Sequence, residues 1–324
     1  MTASSSVRRP GRDAGFTLFD VVPTGAAIGA TVHIPDVKAL DAAQARELRR
    51  AWLKYGVVRI PGQQLDEAQQ IAFGRWFGDF QITNPLPNPL TREDLGTARA
   101  GLRQAPRDER YPEITVVSNV VRDGQALGGL GDGELVWHSD MSQFAEPPSA
   151  TIAYGVEIPR GKGNTLFASV AHAAGALPAD EFEFLSALSI KHDEVFDAAG
   201  LPRRGYDLSL DPSRSPGRVQ PMIIEHPETG RPVLFLGRRR HAYVPGLSLQ
   251  ESDALLDRLW AYATEPRFQW AHEWEQGDIA MWDNRSVLHK RESFGDAPRL
   301  LRRVVIRGSA PRPYRSAAAT ADAA

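Results

Sequence analysis

The chain has 324 residues, 42% of them hydrophobic and 24% charged, and its 38 Lys and Arg against 40 Asp and Glu leave a net charge of -2. That balance provides no field to draw in nucleic acid or an anionic membrane. The absence of cysteine excludes disulfides, thiolate zinc sites, iron–sulfur clusters and cysteine nucleophiles, so any metal must sit on histidine and carboxylate.

Residues 1–15, rich in Ser, Arg, Pro and Gly, and residues 309–324, ending in SAAATADAA, offer no periodic apolar face; both read as loose tails around one unit over 16–308. Neither a signal-peptide core nor a run of about 18 apolar residues occurs, so a cytoplasmic protein with no membrane partner is expected. Asp41 with Gln44 makes a capping-box pattern, and Leu48, Ala51, Trp52 and Tyr55 recur at helical spacing until Gly56; this predicts a helix over 41–55. VVRIPG at 57–62 predicts a strand closed by a Pro-Gly turn, and Asp66 to Phe77 a second helix stopped by Gly78. Beyond residue 80, predicted strands dominate: ITVVSNV (114–120), ELVWHSD (134–140), SATIAYGVEI (149–158), PVLFLG (232–237), DIAMWD (278–283) and VVIRG (304–308). LPADEFEFLSAL (177–188) and the segment after Ser248, paired with Glu251 in a second capping box, are predicted helices. Strands dispersed along the chain, with helices set apart from them, predict a mainly β fold, a sandwich or barrel with flanking helices.

His138 and Asp140 stand two apart in a predicted strand, where a period of two turns both side chains to one face. A distant histidine would complete the facial set of two imidazoles and one carboxylate whose open positions suit non-haem iron(II) oxygenases. His289 is the candidate, because it follows the strand and turn DIAMWDNRSVLH and has Arg299 and Arg303 ten and fourteen positions beyond it. The other histidines, His33, His172, His192, His226, His241 and His272, lie in loop-like or polar surroundings without a paired ligand. Trp282, at a strand end, reads as core packing. In GRRRHAYVPG (237–246), Arg238, Arg239 and Arg240 read as a solvated basic loop, with an anion or a partner subunit as the alternatives.

WHSD at 137–140, GKGNTLF at 161–167, WDNRSVLH at 282–289 and RLLRR at 299–303 follow one another in an order and spacing that resemble the taurine dioxygenase and phenoxyalkanoate (2,4-dichlorophenoxyacetate) dioxygenase family of Fe(II)/2-oxoglutarate-dependent oxygenases. The likeness spans residues 16–312. It implies a double-stranded β-helix (jelly-roll, cupin-like) core, Fe(II) on His138, Asp140 and His289, and 2-oxoglutarate as cosubstrate with its distal carboxylate on Arg299 and Thr165. A guanidinium suits that carboxylate as a rigid, always-charged fork. The spacing from His289 to Arg299 is one residue shorter than in the taurine enzyme, which leaves Arg302 as a rival. The implied reaction consumes O2, releases succinate and CO2, and hydroxylates a C–H bond, with oxidative cleavage when that carbon bears a heteroatom. Asp140 speaks against a halogenase. Arg303, near the metal in this family, favours a small anionic substrate such as a carboxylate, sulfonate or sulfate ester. Taurine itself is disfavoured, because FQITNPLPNPL at 80–90 has no histidine where the taurine enzyme carries a substrate-binding one; Asn84, Pro85 and Asn88 suggest a different lid. A homo-oligomer, dimer or tetramer, fits the family's habit. Two rival classes remain: a metal-dependent hydrolase, which gives Thr165 and Arg299 no joint role, and a non-catalytic cupin-like binding protein, which has no use for three intact ligands.

Overall fold

Local signals set the first described segment, residues 11–82. Strands β1 (Asp20–Pro23) and β2 (Ala30–His33) pair antiparallel. Helix α1 (Ala42–Tyr55) starts at Asp41, whose carboxylate accepts from the Gln44 amide while the Gln44 side chain accepts from the Asp41 amide, and it ends at Gly56 with φ 69°. Strand β3 (Val57–Ile60) and helix α2 (Glu67–Arg75) follow, the latter capped by the same reciprocal bonds between Asp66 and Gln69. The computed structural model describes residues 11–82, 108–128, 136–197 and 200–315.

Next come β4 (Thr115–Ser118), β5 (Val121–Arg122), β6 (Gln125–Ala126), β7 (Ala150–Glu157) and β8 (Thr165–Ser169), then helices α3 (Val170–Gly175) and α4 (Ala179–Ser186). Strands β9 (Ser189–Asp193), β10 (Gly217–Pro221), β11 (Ile223–Glu225) and β12 (Pro232–Leu234) lead to α5 (Leu249–Ala263), capped by Ser248 and Glu251. The chain then runs through β13 (Gln269–His272), β14 (Ile279–Asp283), β15 (Val287–Arg291), β16 (Leu300–Ile306) and β17 (Arg312–Pro313).

Two sheets frame the site. One has seven strands in the order β1-β2-β3-β14-β7-β16-β4, and the other three in the order β13-β8-β15. Alternation along the strands sorts their side chains. Ile152, Tyr154, Ile279, Met281, Val304 and Ile306 pack with Leu48, Trp52, Ile71 and Phe73 of the helices. Ala153, Ala280, Trp282 and Leu301 point the other way and meet Phe167 and Val287 of the three-stranded sheet. A further apolar cluster joins α3 and α5 to β11 and β12. The protein is thus mainly sheet with helices beside it, and among the described residues no helix is long and apolar enough to cross a membrane.

Several expectations need correction. ELVWHSD is not a regular strand: residues 134 and 135 lie outside the described residues, His138 makes single bridges to Arg238 and His289, and Asp140 begins a turn. Met141, at φ 51°, turns the backbone away and ends the ladder. PVLFLG pairs only as far as Leu234, and Gly237, at φ 73°, bends out of the sheet direction. The strand expected at 304–308 begins at Leu300. Both expected tails are anchored at their inner ends. Asp13 receives a hydrogen bond from Lys54 at 2.6 Å, and Arg312–Pro313 pairs with β11. The first attachment is polar and the second is backbone pairing reinforced by the Tyr314 ring, edge-on to Phe182 at 5.7 Å, and a single aromatic makes no apolar period to announce it. Residues 84, 85 and 88, expected in a lid, lie outside the described residues.

Candidate metal and cosubstrate site

His138 and His289 are brought together by a direct cross-strand pair. The His138 amide donates to the His289 carbonyl at 3.0 Å and the His289 amide donates back at 2.8 Å. Cross-strand partners project on the same face, and the two imidazoles lie 4.2 Å apart. The row continues on both sides: Arg238 is the other bridge partner of His138, Phe167 pairs with His289, and Trp270 pairs with Phe167.

Asp140 reaches the same place from the turn. Its carboxylate oxygens lie 3.8 Å from His138 Nε2 and 3.9 Å from His289 Nε2. One ligand atom from each of the three buried residues falls within 4.8 Å of the others. His138 Nδ1 sits 2.8 Å from the Val136 carbonyl, which can only accept, so Nδ1 carries the proton and Nε2 keeps its lone pair toward Asp140. Burial pushes His289 down to about 4, with Arg303 and Arg238 adding to the effect and Asp140 opposing it. Burial likewise holds His138 well below its ordinary value. Both imidazoles are therefore neutral near pH 7, the form that ligates a metal. Burial also disfavours ionised Asp140, but Arg303, the two histidines and the Thr151 hydroxyl outweigh it and keep the carboxyl below the usual range. Two neutral imidazoles and one carboxylate suit a divalent first-row metal.

A hydrogen-bond chain orients that carboxylate. Trp282 Nε1 donates to Asn284 Oδ1 (3.0 Å), Asn284 Nδ2 donates to Thr151 Oγ1 (2.8 Å), and Thr151 donates to Asp140 Oδ2 (2.8 Å). Ser139 Oγ donates to the Asn284 carbonyl at 2.6 Å, tying the 138–140 segment to the turn after β14. Trp282 packs as expected, against the Phe167 and His289 rings, and it also anchors this chain. Thr151 belongs to no motif, and Asn284, although inside WDNRSVLH, is given no role by the sequence.

The arginines separate by strand alternation. Arg302 faces the helices, donating to the Leu65 carbonyl and pairing with Glu67 at 2.7 Å. Arg303 faces the inter-sheet space, with Nη1 3.4 Å from Asp140 Oδ1. Arg299 is 2% exposed, its guanidinium carbon 5.9 Å from the Trp274 ring centre and 5.5 Å from that of Phe294. Gly163 takes φ 68°, and a Cβ there would stand 3.1 Å from Arg299 Cδ and Nε, a tight approach, so this corner of the GKGNTLF segment favours glycine. Among the described residues no carboxylate pairs with Arg299, and burial together with Arg291 pushes its pKa down to about 9. A cation buried at that cost is stabilised by an arriving anion. Thr165 lines the same corner, its hydroxyl accepting from Trp274 Nε1 at 2.9 Å.

The remaining histidines do not join the site, and four are not in loop-like places. His33 ends β2, His172 lies in α3, His192 in β9 and His272 in β13, while His226, bonded to Asp283 at 2.9 Å, is buried. Of the basic run, Arg239 pairs with Asp253 and Asp257, Arg240 covers the Phe196 ring, and Arg238 is buried rather than solvated.

Comparison with known proteins agrees with this arrangement. The family profile described as taurine catabolism dioxygenase TauD, TfdA family matches residues 19–305. The (S)-phenoxypropionate/alpha-ketoglutarate-dioxygenase of Delftia acidovorans is 29% identical over 86% of this chain and 91% of its own. The alpha-ketoglutarate-dependent 2,4-dichlorophenoxyacetate dioxygenase of Cupriavidus pinatubonensis is 31% identical over 82% of this chain and 89% of its own. A crystal structure of a taurine dioxygenase from Burkholderia xenovorans superposes with a TM-score of 0.70 at 29% identity, covering 92% of this chain and 94% of that one. With a match spanning nearly the whole described chain and a donor set suited to iron, the protein belongs to the TauD/TfdA family of 2-oxoglutarate-dependent non-haem iron dioxygenases.

Proposed function

We propose that the protein hydroxylates a small organic anion at the expense of 2-oxoglutarate and O2, releasing succinate and CO2. The observation that carries this reading is the coexistence of the buried His138–Asp140–His289 set with a buried guanidinium, Arg299, that has no carboxylate partner among the described residues. His138, Asp140 and His289 hold Fe(II), which when bound supplies the activation of dioxygen. Arg299 holds the distal carboxylate of 2-oxoglutarate. Thr165 accepts from Trp274 and so keeps its own hydroxyl proton for that carboxylate. Arg302, occupied by Leu65 and Glu67, is the weaker candidate. Arg303, beside Asp140, offers positive charge to the substrate. The relatives' substrates, phenoxypropionate and dichlorophenoxyacetate, are carboxylates, which supports an anionic substrate here. We also propose that residues 16–308 form one domain whose facing sheets are the two halves of a double-stranded β-helix.

Anaerobic addition of Fe(II) and then 2-oxoglutarate to the purified protein tests the reading. A weak visible charge-transfer band is expected, and His138→Ala should abolish it while the protein stays folded by circular dichroism. A folded, iron-loaded protein with no such band would overturn the proposal in favour of oxygen-independent chemistry.

A further inference from the structure

We infer that Arg238 is a specificity-determining residue, whose guanidinium holds the anionic group of the substrate on the side of His138 away from His289. The inference rests on the function proposed above and goes beyond it by naming a second cation, contributed by a different segment from Arg303. Arg238 and His289 are both bridge partners of His138, so the three side chains rise in a row on one face, with His138 in the middle. Imidazoles and aromatic rings fill the rest of the row, and Arg238 is its only charged member.

Arg238 is only 7% exposed, yet among the described residues its one side-chain hydrogen bond runs from Nη1 to the Phe196 carbonyl at 2.8 Å. Among the described residues no carboxylate lies within ion-pair distance of it. A carbonyl satisfies one N–H without pairing the charge; burial and the neighbouring Arg203 make that charge harder to hold, and Asp140, Asp197 and Asp193 offset this only from beyond ion-pair distance. Its sequence neighbours show what a structural arginine looks like here. Arg239 is neutralised by Asp253 at 2.9 Å and Asp257 at 2.6 Å, and Arg240 lies on the Phe196 ring and donates to the Gly200 carbonyl. Arg303 differs again, because part of its charge is spent on Asp140 at 3.4 Å. Arg238 is therefore the cation of this site left to an incoming oxyanion, which a guanidinium can grip through two parallel hydrogen bonds. An anion held there fixes the substrate beside the metal ligands, the placement on which selective C–H oxidation depends.

The test uses the visible band of the anaerobic Fe(II)/2-oxoglutarate protein as its readout, with 2-phenoxypropionate, its neutral amide and sodium sulfate as probes. In the unsubstituted protein at least one of the two anions should perturb the band saturably, and the amide should bind weakly. Arg238→Met should weaken that anion by about tenfold or more, the loss of a charged hydrogen bond, with the amide unaffected. Arg238→Lys, which keeps the charge but not the fork, should recover part of the affinity; it carries the test if the Met variant does not fold. Equal anion affinity in the unsubstituted protein and the folded variants would reduce Arg238 to a brace for the Phe196 segment and overturn the inference. So would an unsubstituted protein whose band no anion perturbs. Failure of the underlying reading is distinct, because then Fe(II) and 2-oxoglutarate produce no band at all.

Discussion

Arg299 and Arg302 are three residues apart and have different surroundings: Arg299 stands just before β16, buried near Trp274 and Phe294, whereas Arg302 within β16 reaches Leu65 and Glu67. Arg299→Ala should therefore raise the 2-oxoglutarate concentration needed for half-saturation by about tenfold or more, since a buried charged anchor is lost. Arg302→Ala should leave that requirement unchanged and lower the melting temperature, because it removes the contacts to Leu65 and Glu67. Cosubstrate titrations and thermal melts of both variants check this, and the reverse pattern would sink the assignment. The ambiguity in sequence arose because the spacing from His289 to Arg299 is one residue shorter than in the taurine enzyme, and the surroundings of each arginine decide between them only in three dimensions. The candidate metal set, which the structure brings within reach of one ion, was legible from chemistry and motif order. Thr151, Asn284 and Arg238 were not, since only cross-strand pairing brings them to Asp140 and His138, and no short window of sequence records that pairing.

Elements whose signals are local appear where the sequence puts them. Three capping boxes, at Asp41, Asp66 and Ser248, close reciprocal hydrogen bonds within four residues. The strand expected around His138 shrinks to single bridges, because strand length depends on partners elsewhere and on the corner that follows. Gly237 forms the neighbouring corner. It takes φ 73°, its carbonyl accepts from the Ser139 amide at 3.0 Å, and an added Cβ would stand 2.1 Å from His192 Nδ1 and 2.5 Å from Ser142 Oγ. Gly237→Ala should thus cost about 2–4 kcal/mol, combining a left-handed backbone penalty with a steric clash. It should also weaken Fe(II) binding by displacing the 138–140 segment. Urea denaturation and metal titration measure the two effects; a variant as stable and as metal-avid as the parent would show that this corner does not set the register.

Across the whole molecule, buried neutral histidines make stability depend on pH. Burial pushes His192 and His272 down to about 3. Their folded-state values lie below the unfolded one, near 6.5, so the stability they provide is complete above that pH and drains as pH falls toward about 3. Between pH 7.5 and pH 5 each histidine should account for a loss on the order of 2 kcal/mol. Denaturant midpoints at the two pH values should show the decline, and His192→Gln should show less of it; an equal decline in both proteins would remove His192 from the account. The same view of the whole chain bears on the metal ligands. His138 and Asp140 sit on a segment that joins its neighbours by single bridges, and His289 follows after an intervening stretch of about 150 residues. An ion gripped by all three closes that stretch into a ring, and loop-closure entropy then disfavours the unfolded chain. In a sequence without a single cysteine, the catalytic ion thereby also acts as the covalent staple's substitute, and a protein stripped of it loses a tether as well as its chemistry.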